Sequence, residues 1–141
     1  MRQRIVRLVA VTLAVVLSPA PALAAFCFDL ATQTGTAVGQ VLLEPSVPAG
    51  AFTLVQGQFI HAAPSFCPVE ENAGGVGNFA IVGGTAHVSL TAGGTPNCFP
   101  VTLDMLLNLA TLNGTFSLDA PSLALVVKGN ATFASACRAI R

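Results

Sequence analysis

Turn signals recur at short intervals along this chain, and that rhythm leaves room for little but short strands. They are Thr34-Gly35, Pro48-Ala49-Gly50, Gly74-Gly75, Gly83-Gly84, Gly93-Gly94, Asn113-Gly114, Pro121-Ser122 and Lys128-Gly129-Asn130. Most segments between them run about 5–13 residues and are rich in Val, Thr, Phe and Leu, which suit a pleated, half-buried surface. The pattern predicts an all-β antiparallel meander of eight or nine strands. A sheet of that many short strands bends into a closed barrel or splits into a sandwich. Closure has the further merit of removing edges, which a charge-poor chain has few means to protect.

Two hairpins can be placed in register. With Gly83-Gly84 as a two-residue turn, Val82 faces Thr85, Ile81 faces Ala86 and Phe79 faces Val88. Phe79, Ile81, Ala86 and Val88 then share one face, while Ala80 and His87 share the other. A continuous strand would flip the apolar phase at the glycines, so the hairpin is preferred. Asn113-Gly114 is the strongest hairpin dipeptide present, and pairing across it sets Thr111 against Phe116, Leu109 against Leu118 and Leu107 against Ala120. Leu103, Met105, Leu107, Leu109, Phe116 and Leu118 fall on one face; Asp104, Asn108, Ser117 and Asp119 fall on the other. A short helix over 102–112 competes, capped by Thr102 and stopped by Asn113-Gly114. The alternation of Thr115-Phe116-Ser117-Leu118 favours the strand. Phe26–Leu30, Ala37–Leu43 and Phe52–His61 supply earlier strands, and Leu123–Val127 with Ala131–Ala136 a last hairpin around Gly129-Asn130.

Residues 1–24 have the form of a cleaved export signal. Arg2, Arg4 and Arg7 precede the apolar run Leu8–Leu17, then Ser18, Pro19 and Pro21 break any helix, and Ala22-Leu23-Ala24 offers small residues for cleavage. The apolar run is too short to span a bilayer, and no later stretch is long enough, so no transmembrane segment is expected in the processed chain. Phe26 precedes Cys27 where a lipid-attachment signal carries a small residue, which argues against a lipoprotein. The expectation is a single all-β domain over 25–141, secreted or periplasmic. Processing removes three arginines and leaves Lys128, Arg138 and Arg141 against six carboxylates. No basic stripe remains for nucleic acid or an anionic membrane surface. A surface so poor in charge gives little repulsion between copies, and self-association is expected.

All four cysteines, Cys27, Cys67, Cys98 and Cys137, lie after the leader. An even count in an exported domain predicts two disulfides, with three connectivities open. Their spacings of 40, 31 and 39 residues lack the close pairs of a zinc site. Cys67 and Cys98 fall in loops at the same end if every turn reverses the chain, and Cys27 on the first strand and Cys137 on the last would be neighbours in a closed barrel. A nine-strand count puts them at opposite ends.

Nothing in the chain assembles catalytic chemistry. The histidines are His61 and His87, and neither sits in a nucleophile motif. Glu70 and Glu71 are adjacent, so on extended backbone they point apart. Asp104 and Asp119 read as solvated charges on the outer face of one hairpin. No metal, cofactor or catalytic residue is expected. A transmembrane barrel is disfavoured by short segments, four cysteines and a terminus of Ala139-Ile140-Arg141 rather than an aromatic.

The chain has nine Phe and neither Trp nor Tyr, so its aromatics supply core volume without a polar handle. Two functions follow. The first is a non-enzymatic structural or interaction protein of the cell envelope or exterior. The alternative is a small barrel holding a hydrophobic small molecule, with Phe79, Ile81, Val88, Met105, Leu107 and Phe116 as its lining. An open apolar cavity near these residues would favour the second; a filled interior would favour the first.

Overall fold

The computed structural model describes residues 25–49, 52–61, 72–93 and 99–137. Among them lie eight strands: β1 (Phe26–Thr32), β2 (Ala37–Ala49), β3 (Phe52–His61), β4 (Asn72–Val82), β5 (Thr85–Ala92), β6 (Val101–Asn108), β7 (Gly114–Ala120) and β8 (Leu125–Ala134). Each pairs antiparallel with its neighbours in sequence, and β8 returns to β1, closing the barrel. The barrel and the eight-strand count are therefore the correct members of the expected alternatives. The described helix is one 3-10 turn at Pro121–Leu123, and none of the described helices is long and apolar enough to cross a membrane.

Local chemistry explains much of this path. Gly83 and Gly84 take φ of +57° and +81°, the type I′ pair whose twist matches the flanking strands. Val82↔Thr85, Ile81↔Ala86 and Phe79↔Val88 pair as expected from the sequence. In β2 the register shifts between Leu30↔Gly39 and Ala31↔Ala37, leaving Val38 as the extra residue, and Val38 is buried. On β4 a Cβ at Gly77 would fall on the Ser89 carbonyl oxygen, so β5 approaches β4 more closely there than any side chain permits.

Three expectations are corrected. The β6–β7 connection is not a two-residue Asn113-Gly114 turn: Leu107 pairs with Gly114 and Met105 with Phe116, and Leu109–Asn113 form the turn. The cause is Asn108. Its Oδ1 accepts the backbone N–H of Ala110 at 2.9 Å and of Thr111 at 3.2 Å, and its carbonyl accepts from Leu112 at 2.7 Å. Region 102–112 is thus strand to Asn108 and turn thereafter, without the rival helix. There is also no hairpin at Gly129-Asn130, because β8 runs unbroken through both. Gly129 is instead needed where a Cβ would meet the Ala31 carbonyl oxygen of β1. Finally, Gly74-Gly75 lies within β4 rather than in a turn.

Alternation sorts the side chains. Val41, Val55, Leu90, Leu103, Met105 and Leu118 point inward and are fully buried. Asp29, Glu44, Gln56, Asn78, His87, Asp104, Asp119, Lys128 and Asn130 are exposed on the outer face. Asp29 accepts a 2.6 Å hydrogen bond from Gln40 Nε2 on the neighbouring strand. At about 25 cal/mol per Å² of apolar surface removed from water, burial of this inner face supplies the main driving force for closure.

One disulfide is defined. Cys27 on β1 and Cys137 just after β8 are bonded, with Cα atoms 5.5 Å apart and a sequence separation of 110. It crosses the seam where first and last strands meet. Cys67 and Cys98 lie outside the described residues, as do Glu70 and Glu71.

Candidate functional site

The two ends of the barrel differ. At one end lie the start of β1, the finish of β8, the Gly83-Gly84 turn and the Leu109–Asn113 turn. A cavity of about 210 Å³ opens there. Its walls follow from strand alternation: β1 contributes Phe26 and Phe28, β2 Leu43 and Pro45, and β3 Val55. Opposite them stand Phe79 and Ile81 of β4, Ala86 and Val88 of β5, and Leu107 of β6. The Leu109–Asn113 turn adds Leu109 and Leu112 at the rim. Every lining residue is apolar.

Of the six residues expected to line a site, Phe79, Ile81, Val88 and Leu107 come together in this mouth. Met105 and Phe116 do not line it; at 1 % and 4 % exposure they belong to the packed interior. Ile81 is 58 % exposed because it stands at the open rim. Beyond the cavity, Leu30, Val41, Leu90, Leu103 and Leu118 fill the far half of the barrel. The interior is thus plugged at one end and hollow at the other.

The rim is rigidly built. Leu112 holds a left-handed φ of +55°, a conformation that costs a non-glycine residue roughly 1 kcal/mol. The Asn108 bonds impose it. Asn113 Oδ1 also accepts the Phe133 N–H of β8 at 3.1 Å, and Leu109 N–H donates to the Gly84 carbonyl at 3.0 Å. These bonds tie the turn to both neighbouring hairpins and direct Leu112 toward the core. On the opposite side, Phe28 meets Phe133 edge-to-face at 6.0 Å across the β1–β8 seam.

Sequence reasoning missed the β1, β2 and β3 contributions. Phe26 and Phe28 share one phase of an alternating segment, which is a readable signal once β1 is known to close against β8. Leu112 carries none, since nothing in its type points to a left-handed backbone.

Among the described residues the titratable groups do not converge. His87, Asp104 and Asp119 are exposed on the outer face, and the His61 side chain lies outside the described residues. Among the described residues no group of three His, Cys, Asp or Glu is placed to hold a metal ion. A second depression, of about 240 Å³, lies outside the barrel between β2, β3 and β4, beside Glu44, Gln56 and Gln58. Gln58 Oε1 is buried there without a hydrogen-bond partner among the described residues.

Fold and cavity together define an eight-stranded antiparallel barrel with one apolar mouth. Comparison with protein-family models, characterised proteins and solved structures finds no match.

Proposed function

We propose that this protein is an exported, non-enzymatic barrel that holds a small hydrophobic molecule in its mouth. The observation that carries the reading is the open cavity of about 210 Å³ whose walls are apolar throughout. An apolar cavity of roughly 150 Å³ takes up benzene, so this one suits a single ring or a tail of about six to eight carbons. A polar part of the ligand would stay in water at the rim. Export with removal of residues 1–24 belongs to the same proposal, supported by the form of the leader; the Cys27–Cys137 bond is compatible with an oxidising compartment.

The distribution of side chains supports a barrel in water. Membrane barrels face lipid with an apolar band and keep a polar lumen. Here the inward positions are apolar and the outward row from Asp29 to Asn130 is largely polar.

Native mass spectrometry of protein purified from its source, with uptake of the single-ring fluorophore 4-(dimethylamino)benzonitrile as a second readout, tests the proposal. A retained hydrophobic ligand, or saturable dye fluorescence abolished by Ala86→Phe, supports it. Absence of both a retained ligand and dye uptake refutes it.

A structural or interaction role is the second reading, favoured by Leu54, Val76, Val82, Leu106 and Val126, which are exposed on the outside. Sedimentation at several concentrations tests it. Association weakened by Val76→Ser or Leu106→Ser supports it, and a concentration-independent monomer ends it.

A further inference from the structure

We infer that the mouth end of the barrel docks on a net-neutral lipid surface, with the loop tips around the mouth seated at the boundary of headgroups and acyl chains. The inference stands on those tips and holds whether or not the cavity retains a ligand. The β2–β3 connection, the Gly83-Gly84 turn and the 109–113 turn all lie at this end. Connections between strands are ordinarily polar. Here the stretches 45–55, 79–86 and 105–118 contain no charged residue. Phe52, Ile81, Val82, Leu109 and Phe133 stand exposed around the opening. Glu44 of β2, His87 of β5 and Asp104 of β6 are set back along the outer wall. Apolar side chains gathered round an opening, with polar groups behind them, mark a contact with an apolar phase or partner.

The 109–113 turn points to lipid as the occupant. Leu109, Ala110, Thr111 and Asn113 are exposed, yet every amide of the turn donates within the protein. Leu109 N–H donates to the Gly84 carbonyl at 3.0 Å and Leu112 N–H to the Asn108 carbonyl at 2.7 Å. Ala110 and Thr111 donate to Asn108 Oδ1 at 2.9 and 3.2 Å, and Asn113 to Thr111 Oγ1 at 3.3 Å. An exposed turn in water needs none of this, because water satisfies its amides. Next to acyl chains no water is at hand, and an unsatisfied amide is heavily penalised. Headgroup water still serves the carbonyls at that depth. A protein partner or a second copy fits less well. Such interfaces carry about one hydrogen bond per 100–200 Å², and this turn has no amide left to give. The three stretches also lack Lys and Arg, so nothing on them selects anionic over zwitterionic headgroups.

Flotation of protein purified from its source with phosphatidylcholine vesicles tests the inference, and the protein should float with the lipid. Ala110→Asp sets a carboxylate on the exposed tip and should weaken partitioning about tenfold or more. Val82→Ser, outside the cavity lining, should weaken it about three- to tenfold. Val126→Ser removes an equally exposed apolar side chain near the other end of the barrel and should change nothing. Thermal melting of each variant shows that it is folded. No flotation, flotation that requires phosphatidylglycerol, or flotation that survives both Ala110→Asp and Val82→Ser overturns the inference. If the protein instead associates without lipid and Ala110→Asp disperses it, the face belongs to a second copy and the inference falls. Uptake of 4-(dimethylamino)benzonitrile in the absence of lipid reads the pocket separately. Dye uptake without flotation leaves the pocket and removes the docking face; flotation without dye uptake supports the docking face and removes the pocket.

Discussion

Replacing both Cys27 and Cys137 by Ala removes a crosslink that closes 110 residues of chain. The loop-entropy relation assigns a loop of that length about 16 cal/mol/K, or about 4.8 kcal/mol at 25 °C. The dependence on length is logarithmic, so a second bridge between Cys67 and Cys98 would lower the figure by only about 0.3 kcal/mol. For the proposed exported domain over 25–141, of about 117 residues, 1 kcal/mol corresponds to about 4 °C, and the double variant should melt about 15–20 °C below the parent. The parent's whole stability is of order 5–15 kcal/mol, so the variant is left marginal. Thermal unfolding followed by circular dichroism, with both proteins exported and handled without reductant, measures the difference. The double substitution avoids a stray thiol that would complicate either single variant. A drop of less than about 4 °C would refute the reasoning, because it would mean that the bridge does not restrict the unfolded chain.

Met105→Ala should cost about 2–5 kcal/mol and Ile81→Ala less than about 0.5 kcal/mol by urea titration, since the first is packed interior and the second open rim. Ala86→Phe places a ring in the mouth cavity; dye uptake should weaken at least tenfold while the melting temperature moves little. Asn108→Ala frees the amides of Ala110 and Thr111 and should cost about 1–2 kcal/mol, with weaker dye binding as Leu112 loses its imposed position. Gly77→Ala drives a methyl into the Ser89 carbonyl and should cost about 3 kcal/mol or more; a neutral result would contradict the close approach of β4 and β5.

Legibility in the sequence depended on whether a residue's neighbours share its local logic. The Gly83-Gly84 hairpin was readable to the residue, because turn chemistry and apolar phase agree there. In the β6–β7 hairpin the register differs from the expected one by six positions, Leu107 pairing with Gly114 rather than Ala120. Such a slip preserves which residues face inward, so Leu103, Met105, Phe116 and Leu118 were sorted correctly all the same. The turn itself was not legible, because a side-chain oxygen on Asn108 outcompetes the Asn-Gly preference. Gly129 misled for a different reason: it answers to the carbonyl of Ala31, nearly a hundred residues away, and not to a local turn. Depth was also hidden. Alternation says that Met105 and Phe116 point inward, but not how far along the barrel axis the hollow extends.

The placement of the hollow ties the site to the way the barrel closes. Contacts between β1 and β8 are the most distant in sequence, so they carry the largest loop-closure cost. The cavity opens beside that seam rather than beside a local hairpin alone. Phe28 is both a wall of the pocket and one half of the Phe28–Phe133 contact across the seam. Cys27, its neighbour, carries the covalent bond across the same seam. β8 itself lines none of the cavity, so opening it from β1 would act on the pocket through Phe28, which would lose its Phe133 contact. On this geometry the disulfide does more than lower the entropy of the unfolded chain, because it holds the strand that carries Phe26 and Phe28 against β8. If the mouth binds a ligand as proposed, the reduced protein should bind it more weakly than the oxidised one, and titration of both forms measures the difference.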